Sequence, residues 1–253
     1  MTRLIAGEFH KLFTTRLWLW LLLAAVATTA LYVSLDIAFA DDPDTWTYPL
    51  STEEGQRTLL AIGAGVAPLV AVLGAIGLTG EFRHRTATAT FLATPHRGRV
   101  VAAKLVTYAL VGVGYALAGV ATVAVIAVPW LAGNDIHLAL DGDTIAATLA
   151  GVIAAVAVWG LVGVGLGALL REQVATVVGL LIYLFVVERI LTAIPALNSW
   201  IMYLPGKAQE ALAGTTLTVQ RVLEPWQGGI LLAGYGLVLA TAGTLLAVRR
   251  DIT

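Results

Sequence analysis

The chain of 253 residues contains no cysteine. A disulfide framework and a thiolate metal site are therefore excluded. Charge is also scarce, at 12% Asp, Glu, Lys and Arg, where soluble domains carry about 25%. Lysine occurs only at Lys11, Lys104 and Lys207. None of these completes a G-x-x-x-x-G-K-[ST] sequence, so the chain is not expected to bind ATP through a P-loop. The histidines are His10, His84, His96 and His137. None falls in an HExxH motif and no two share an apolar run, which argues against a haem or zinc site. No Ser-His-Asp set gathers on one side with any specificity. Asp41, Asp42 and Asp44 read better as a solvated acidic loop than as a weak calcium site. No catalysis is expected of this chain by itself, and nothing points to nucleic acid as a partner.

Apolar length is what the chain has in abundance. Hydrophobic residues make up 58% of it, against about 45–50% in soluble domains. They fall into six runs: Leu17–Leu35, Leu59–Thr79, Leu105–Leu131, Ile145–Leu170, Val174–Ile194 and Ile230–Val248. A spanning helix needs about 20 apolar residues, so each run is expected to cross a bilayer. The charges between the runs alternate in sign. Arg3, Lys11 and Arg16 precede the first, and Asp36, Asp41, Asp42, Asp44, Glu53 and Glu54 come after it. Arg83, Arg85, Arg97, Arg99 and Lys104 come after the second, and Asp135, Asp141 and Asp143 after the third. Sorted by side, eleven positive and four negative residues net +7, while four positive and twelve negative net −8. Lys and Arg are retained on the cytoplasmic face. The expectation is an all-α polytopic protein of the cytoplasmic membrane, with both termini inside. Alanine, valine and glycine bias suggests a bacterial source. Ala38-Phe39-Ala40 has the small-x-small form of a signal cleavage site, but the run before it is longer than a signal core and is read as a span.

Residues 3–16 are expected to form an amphipathic helix. Ile5, Phe9, Leu12 and Phe13 share one face, with Arg3, His10, Lys11 and Thr14 opposite. Such a helix lies in the membrane interface. It serves either as a surface anchor or as a lever against a cytoplasmic partner. Trp18, Trp20, Trp46, Trp130, Trp200 and Trp226 lie near span ends, as an aromatic belt predicts, while Trp159 sits mid-span and reads as packing. Glycines are frequent within the spans. Gly163 and Gly167 form a GxxxG, which lets helix backbones approach closely in lipid, within a subunit or across a dimer.

The most informative segment is GEFRHRTATATFLATPHRGRVVAAK, residues 80–104. Gly80 is expected to end the second span. Glu81 stands where a new helix could begin, Pro95 closes the short apolar stretch, and basic residues lead into the third span. Glu81, Phe82, Arg83, His84, Arg85 and Thr86, then Leu92, Pro95, Arg97 and Lys104, resemble the segment after the second span of ABC-2 type permeases, the membrane subunits of ABC exporters. The Glu8, Phe9, Lys11, Leu12 segment before span one and the six-span layout are similar to that family too. The resemblance implies a dimer of permease subunits, with a second copy or a paralogue, bound to two ATPase subunits that hold ATP and magnesium. This chain would hold no cofactor of its own. Residues 81–97 would be the coupling helix that docks on the ATPase, residues 3–16 the interface helix, and the Arg171–Gln173 turn a second, minor contact. Positive-inside retention alone also explains some of these arginines.

Only the fifth span is interrupted by charge, at Glu188-Arg189. Ionisable groups at that depth usually face protein or water. Neighbours on a helix do not face one another, so each is expected to need its own partner, which a symmetry-related copy could provide. Two readings stand: an outer gate, or a structural ion pair near the surface. Pro195 and Pro205-Gly206 interrupt the chain beyond this pair, so residues 195–226 are expected to form a broken, partly re-entrant outer hairpin. The leading function is ATP-driven export of an amphipathic, drug-, peptide- or lipid-like substrate. An ion-coupled secondary transporter would need midplane charges on paired broken helices, and a membrane scaffold is the third reading.

Overall fold

The computed structural model describes residues 1–40, 48–84, 97–215 and 223–249, with the side chains of Arg97 and of 244–249 outside that description. Every regular element among the described residues is helical. Five helical stretches are long and apolar enough to cross a membrane: Leu17–Phe39, Glu53–Arg83, Gly98–Gly133, Gly142–Leu170 and Gln173–Thr192. The chain is thus a membrane-embedded helical protein.

Helix α1 (Thr2–Thr14) is short and amphipathic, and Thr15 and Arg16 separate it from α2 (Leu17–Phe39). The second stretch is built in three parts: α3 (Glu53–Ala61), a tight 3₁₀ turn (Ile62–Val66) and α4 (Ala67–Arg83). Thr52 starts α3 by accepting the Gly55 amide at 3.2 Å, a side-chain cap for one orphan N–H. Helix α5 (Arg97–Gly133) begins eight residues before its apolar run and carries Pro129 near its far end. Helix α6 (Gly142–Leu170) is capped by Asp141, which accepts the Thr144 amide at 2.7 Å. It stops at Arg171, whose φ of 58° is a left-handed turn. Glu172 then caps α7 (Gln173–Ile182) through the Val174 and Ala175 amides. The expected tight hairpin between spans four and five is therefore present. The Glu172 carboxyl is held below the usual range by the hydrogen bonds from Ala175 and Val174.

The fifth stretch is not one regular helix. α7 widens into a π-helical turn at Tyr183–Val187 before resuming as α8 (Glu188–Thr192). A 3₁₀ turn (Pro195–Leu197), α9 (Asn198–Ile201) and α10 (Pro205–Leu212) come next. The expected outer hairpin at 195–226 is described as short, interrupted helices up to residue 215, and residues 216–222 of it lie outside the described residues. Helix α11 (Pro225–Arg249) completes the chain.

Helix α6 is the hub, packed against α4, α5, α10 and α11. Small residues make this possible. A side chain on Gly74 would come within 2.7 Å of the Gly160 carbonyl, and one on Gly163 would collide with the Ala71 backbone. The GxxxG of Gly163 and Gly167 thus packs within the subunit, against α4. Val70, Val152, Val156 and Val164 are completely buried in the resulting core, with Trp159 in the same cluster. A second apolar cluster, around Val33, Leu50, Leu59 and Val123, closes the acidic end. There the buried Gln56 amide donates to Leu50 O at 3.0 Å and His137 O at 2.9 Å, and accepts from Ala139 N at 2.8 Å.

Candidate functional site at the basic end

Four charged side chains meet where α1 crosses the ends of α4 and α5. The positive stripe of α1 faces out, with Arg3 and His10 exposed, but its inner face carries Glu8 together with Leu12. Glu81 approaches from the last turn of α4. Lys104 approaches from the second turn of α5 and is only 1% exposed. Its Nζ donates to Glu8 Oε2 at 2.5 Å and to the Gly77 carbonyl at 3.1 Å, and pairs with Glu81 Oε1 at 2.9 Å. Lys11 Nζ bridges the same two carboxylates, at 2.8 Å to each.

The arrangement is a closed ring of two carboxylates and two ammonium groups. Each acid touches both bases. A lone buried charge would cost several kcal/mol, and the ring neutralises all four. Lys11 keeps half its side chain in solvent. Burial works against its charge, yet the hydrogen bonds and field of Glu8 and Glu81 prevail and hold its pKa above the ordinary lysine value. Three segments far apart in sequence are thereby joined as one body.

Glu81, Phe82 and Arg83 belong to the final turn of α4, with His84 as its cap residue. Gly80 does not end the span, and Glu81 does not open a new helix, because Lys11 and Lys104 make its burial favourable. Arg97 opens α5. Arg85, Thr86, Leu92 and Pro95 lie outside the described residues, as does most of the expected coupling helix at 81–97. Arg83 and His84 are exposed at the tip.

The Arg171–Gln173 turn comes beside this tip. The Arg171 guanidinium lies 5.6 Å over the Phe82 ring, and Arg83 Nη1 donates to Gln173 Oε1 at 3.4 Å. Of the interface residues expected from the sequence, Glu8 and Lys11 join the ring. Phe9 packs partly buried on the main core, and Leu12 lies within it. Lys104 reads in sequence only as a loop charge that matches the motif, and its burial is the feature sequence reasoning misses. The signal in the sequence is its position early in a helix whose start is basic rather than apolar.

At the opposite, acidic end, Glu188 and Arg189 part company. Glu188 is 7% exposed and accepts the Gly206 amide at 2.8 Å, so it caps the N-terminus of α10. Glu188 does have a partner separate from Arg189, and it is not a second copy, which could have provided one, but an amide 18 residues on in the same chain. Any side chain on Gly206 would meet the Glu188 carboxylate. The π-helical turn sets the register that aims Glu188 inward, while Arg189 remains exposed. They do not form an ion pair with each other.

No known family model matches the chain, and no curated protein matches it.

Proposed function

We propose that the chain is the membrane subunit of an ATP-driven exporter of the ABC-2 type, working as a dimer, homomeric or with a paralogue, on two ATPase subunits. The observation that carries this reading is the charged ring. It fastens α1, the end of α4 and the start of α5 into one unit, and these are the segments that the sequence resemblance assigns to motor docking. A push on the 81–97 segment would thereby reach α1, α4 and α5 together rather than bending one loop. Arg83 and His84, exposed at the tip with Arg171 and Gln173 beside them, supply a basic, polar contact patch.

In this reading α11 is the sixth span, the basic end is cytoplasmic, and both termini lie inside a bacterial cytoplasmic membrane. Closure of the ATPases on nucleotide displaces the tip. α4 and α5 carry the movement to α6, which they flank, and so to the dimer interface. ATP and magnesium reside in the partner; this chain supplies no catalytic group and no cofactor site. Glu188, as a helix cap, holds the broken outer segment in place, and Arg189 is the candidate gate residue. Charges paired across two broken helices at mid-membrane, which an ion-coupled transporter would need, find no support in the geometry of Glu188.

The test is co-purification. Purified from its native membranes, the chain should elute in a stoichiometric complex with an ATPase subunit, and R83E/R97E should release the ATPase while the membrane subunit stays folded. A chain that transports alone on an ion gradient would refute the proposal.

A further inference from the structure

The acidic end contains a two-lobed cavity between α2, the 3₁₀ turn before α4, α8 and α10. One lobe is about 360 Å³ and the other about 570 Å³, and Tyr32, Gly65, Arg189, Gln209 and Glu210 line both. Volumes of this order suit small-molecule ligands. Its charges are not all internally satisfied. Lys207 pairs with Glu210 at 2.7 Å, and Glu188 is used by the Gly206 amide. Arg189, shared by the two lobes, and Asp36, in the larger, have no ion pair among the described residues. Trp159, 2% exposed, lines the smaller lobe and a neighbouring apolar cavity, and its buried indole Nε1 has no hydrogen-bond partner among the described residues.

We propose that this cavity binds a zwitterionic phospholipid. The guanidinium of Arg189 takes the phosphate, for which its fork of donors is suited. The carboxylate of Asp36 takes the ammonium group. The acyl chains lie along Leu184 and the exposed Phe185 and Tyr32. Glu188, which likewise has no ion pair among the described residues, is held by the Gly206 amide, so Arg189 and Asp36 leave one open pole of each sign and the site selects a ligand carrying both charges over an anionic lipid. As cargo, this names a substrate class and rests on the exporter reading; the binding itself does not.

The test uses the purified full-length chain in neutral maltoside, titrated with phosphatidylethanolamine and with phosphatidylglycerol of the same acyl chains and read by native mass spectrometry. The wild type should bind phosphatidylethanolamine about tenfold or more tightly than phosphatidylglycerol, the low end for one charge-assisted contact. D36N should abolish this preference. R189Q should weaken both lipids, and R189K, which keeps the charge, should lose less. Helix content by circular dichroism qualifies each variant, and for any that misfolds the lipid preference of the wild type decides. Equal binding of the two lipids by the wild type, or unchanged binding by R189Q, would overturn the proposal. So would free phosphoethanolamine competing as well as the lipid. Pull-down of the ATPase from the same preparations separates the claims: lipid selectivity without ATPase binding sinks the exporter alone, and the reverse sinks the site alone.

Discussion

Replacing Lys104 by methionine isolates the ring at the basic end. Methionine matches the length of the lysine stem, so the main change is loss of the ammonium group. That group is the most deeply buried of the four, with contacts at 2.5, 2.9 and 3.1 Å. Its removal leaves Glu8 and Glu81, both less than a tenth exposed, sharing Lys11. Breaking a buried ion pair by deleting one partner costs about 3–5 kcal/mol, a large part of a total stability of about 5–15 kcal/mol. At roughly 2–4 °C per kcal/mol for a chain of this size, K104M should lower the midpoint of thermal unfolding in detergent by roughly 6–20 °C. K11M also leaves the two carboxylates on one lysine, but the lost partner is half-exposed and solvent screens its contacts, so it should cost less than K104M. Adding E8Q to K104M removes the surplus negative charge, so the double variant should be more stable than K104M alone. Equal melting of K104M and wild type, or of K104M and K11M, would refute the claim that a buried ring holds these helices.

Three further outcomes are expected. G163L places a side chain against the Ala71 backbone, so it should destabilise the α4–α6 contact by about 2 kcal/mol or more, read as a lower melting temperature. G206V should push the Glu188 carboxylate off the α10 amides, and limited proteolysis should then cut between residues 195 and 215 several times faster than in wild type, a change for which E188Q is the milder control. Glu172 carries a depressed pKa, so its cap on α7 exists above the ordinary carboxylate range and is lost as pH falls through the lowered value. The melting difference between wild type and E172A should therefore be present at neutral pH and vanish in acid.

The helices themselves are legible in the sequence because lipid leaves so few ways to place apolar residues. Five of the six expected runs fall in stretches long and apolar enough to cross a membrane, and the helix at 3–16 forms almost where its amphipathic pattern puts it. Span ends are harder. Gly80 reads as a stop, yet the helix runs on to Arg83, because Glu81 is neutralised by lysines that lie 70 positions before it and 23 after it in the chain. No local rule foretells that convergence, since each member alone looks like an ordinary interface charge. Glu188 shows the same limit. Its neighbour Arg189 suggests an ion pair or separate partners in a second copy, while the true acceptor role depends on Pro205-Gly206 beginning a helix that folds back 18 residues later. The π-helical turn at Tyr183–Val187 leaves no mark in the apolar pattern, because one extra residue per turn preserves an all-apolar surface.

The central claim is that the tip formed by α4 and α5 faces the cytoplasm and is held there by an ATPase subunit. Because the chain has no native cysteine, single cysteines report position cleanly. H84C, at the exposed tip, should resist a membrane-impermeant maleimide in intact cells, react after permeabilisation, and crosslink to the ATPase in membranes. H137C, at the acidic end and exposed there, should react in intact cells. Labelling of H84C from outside intact cells would contradict the account.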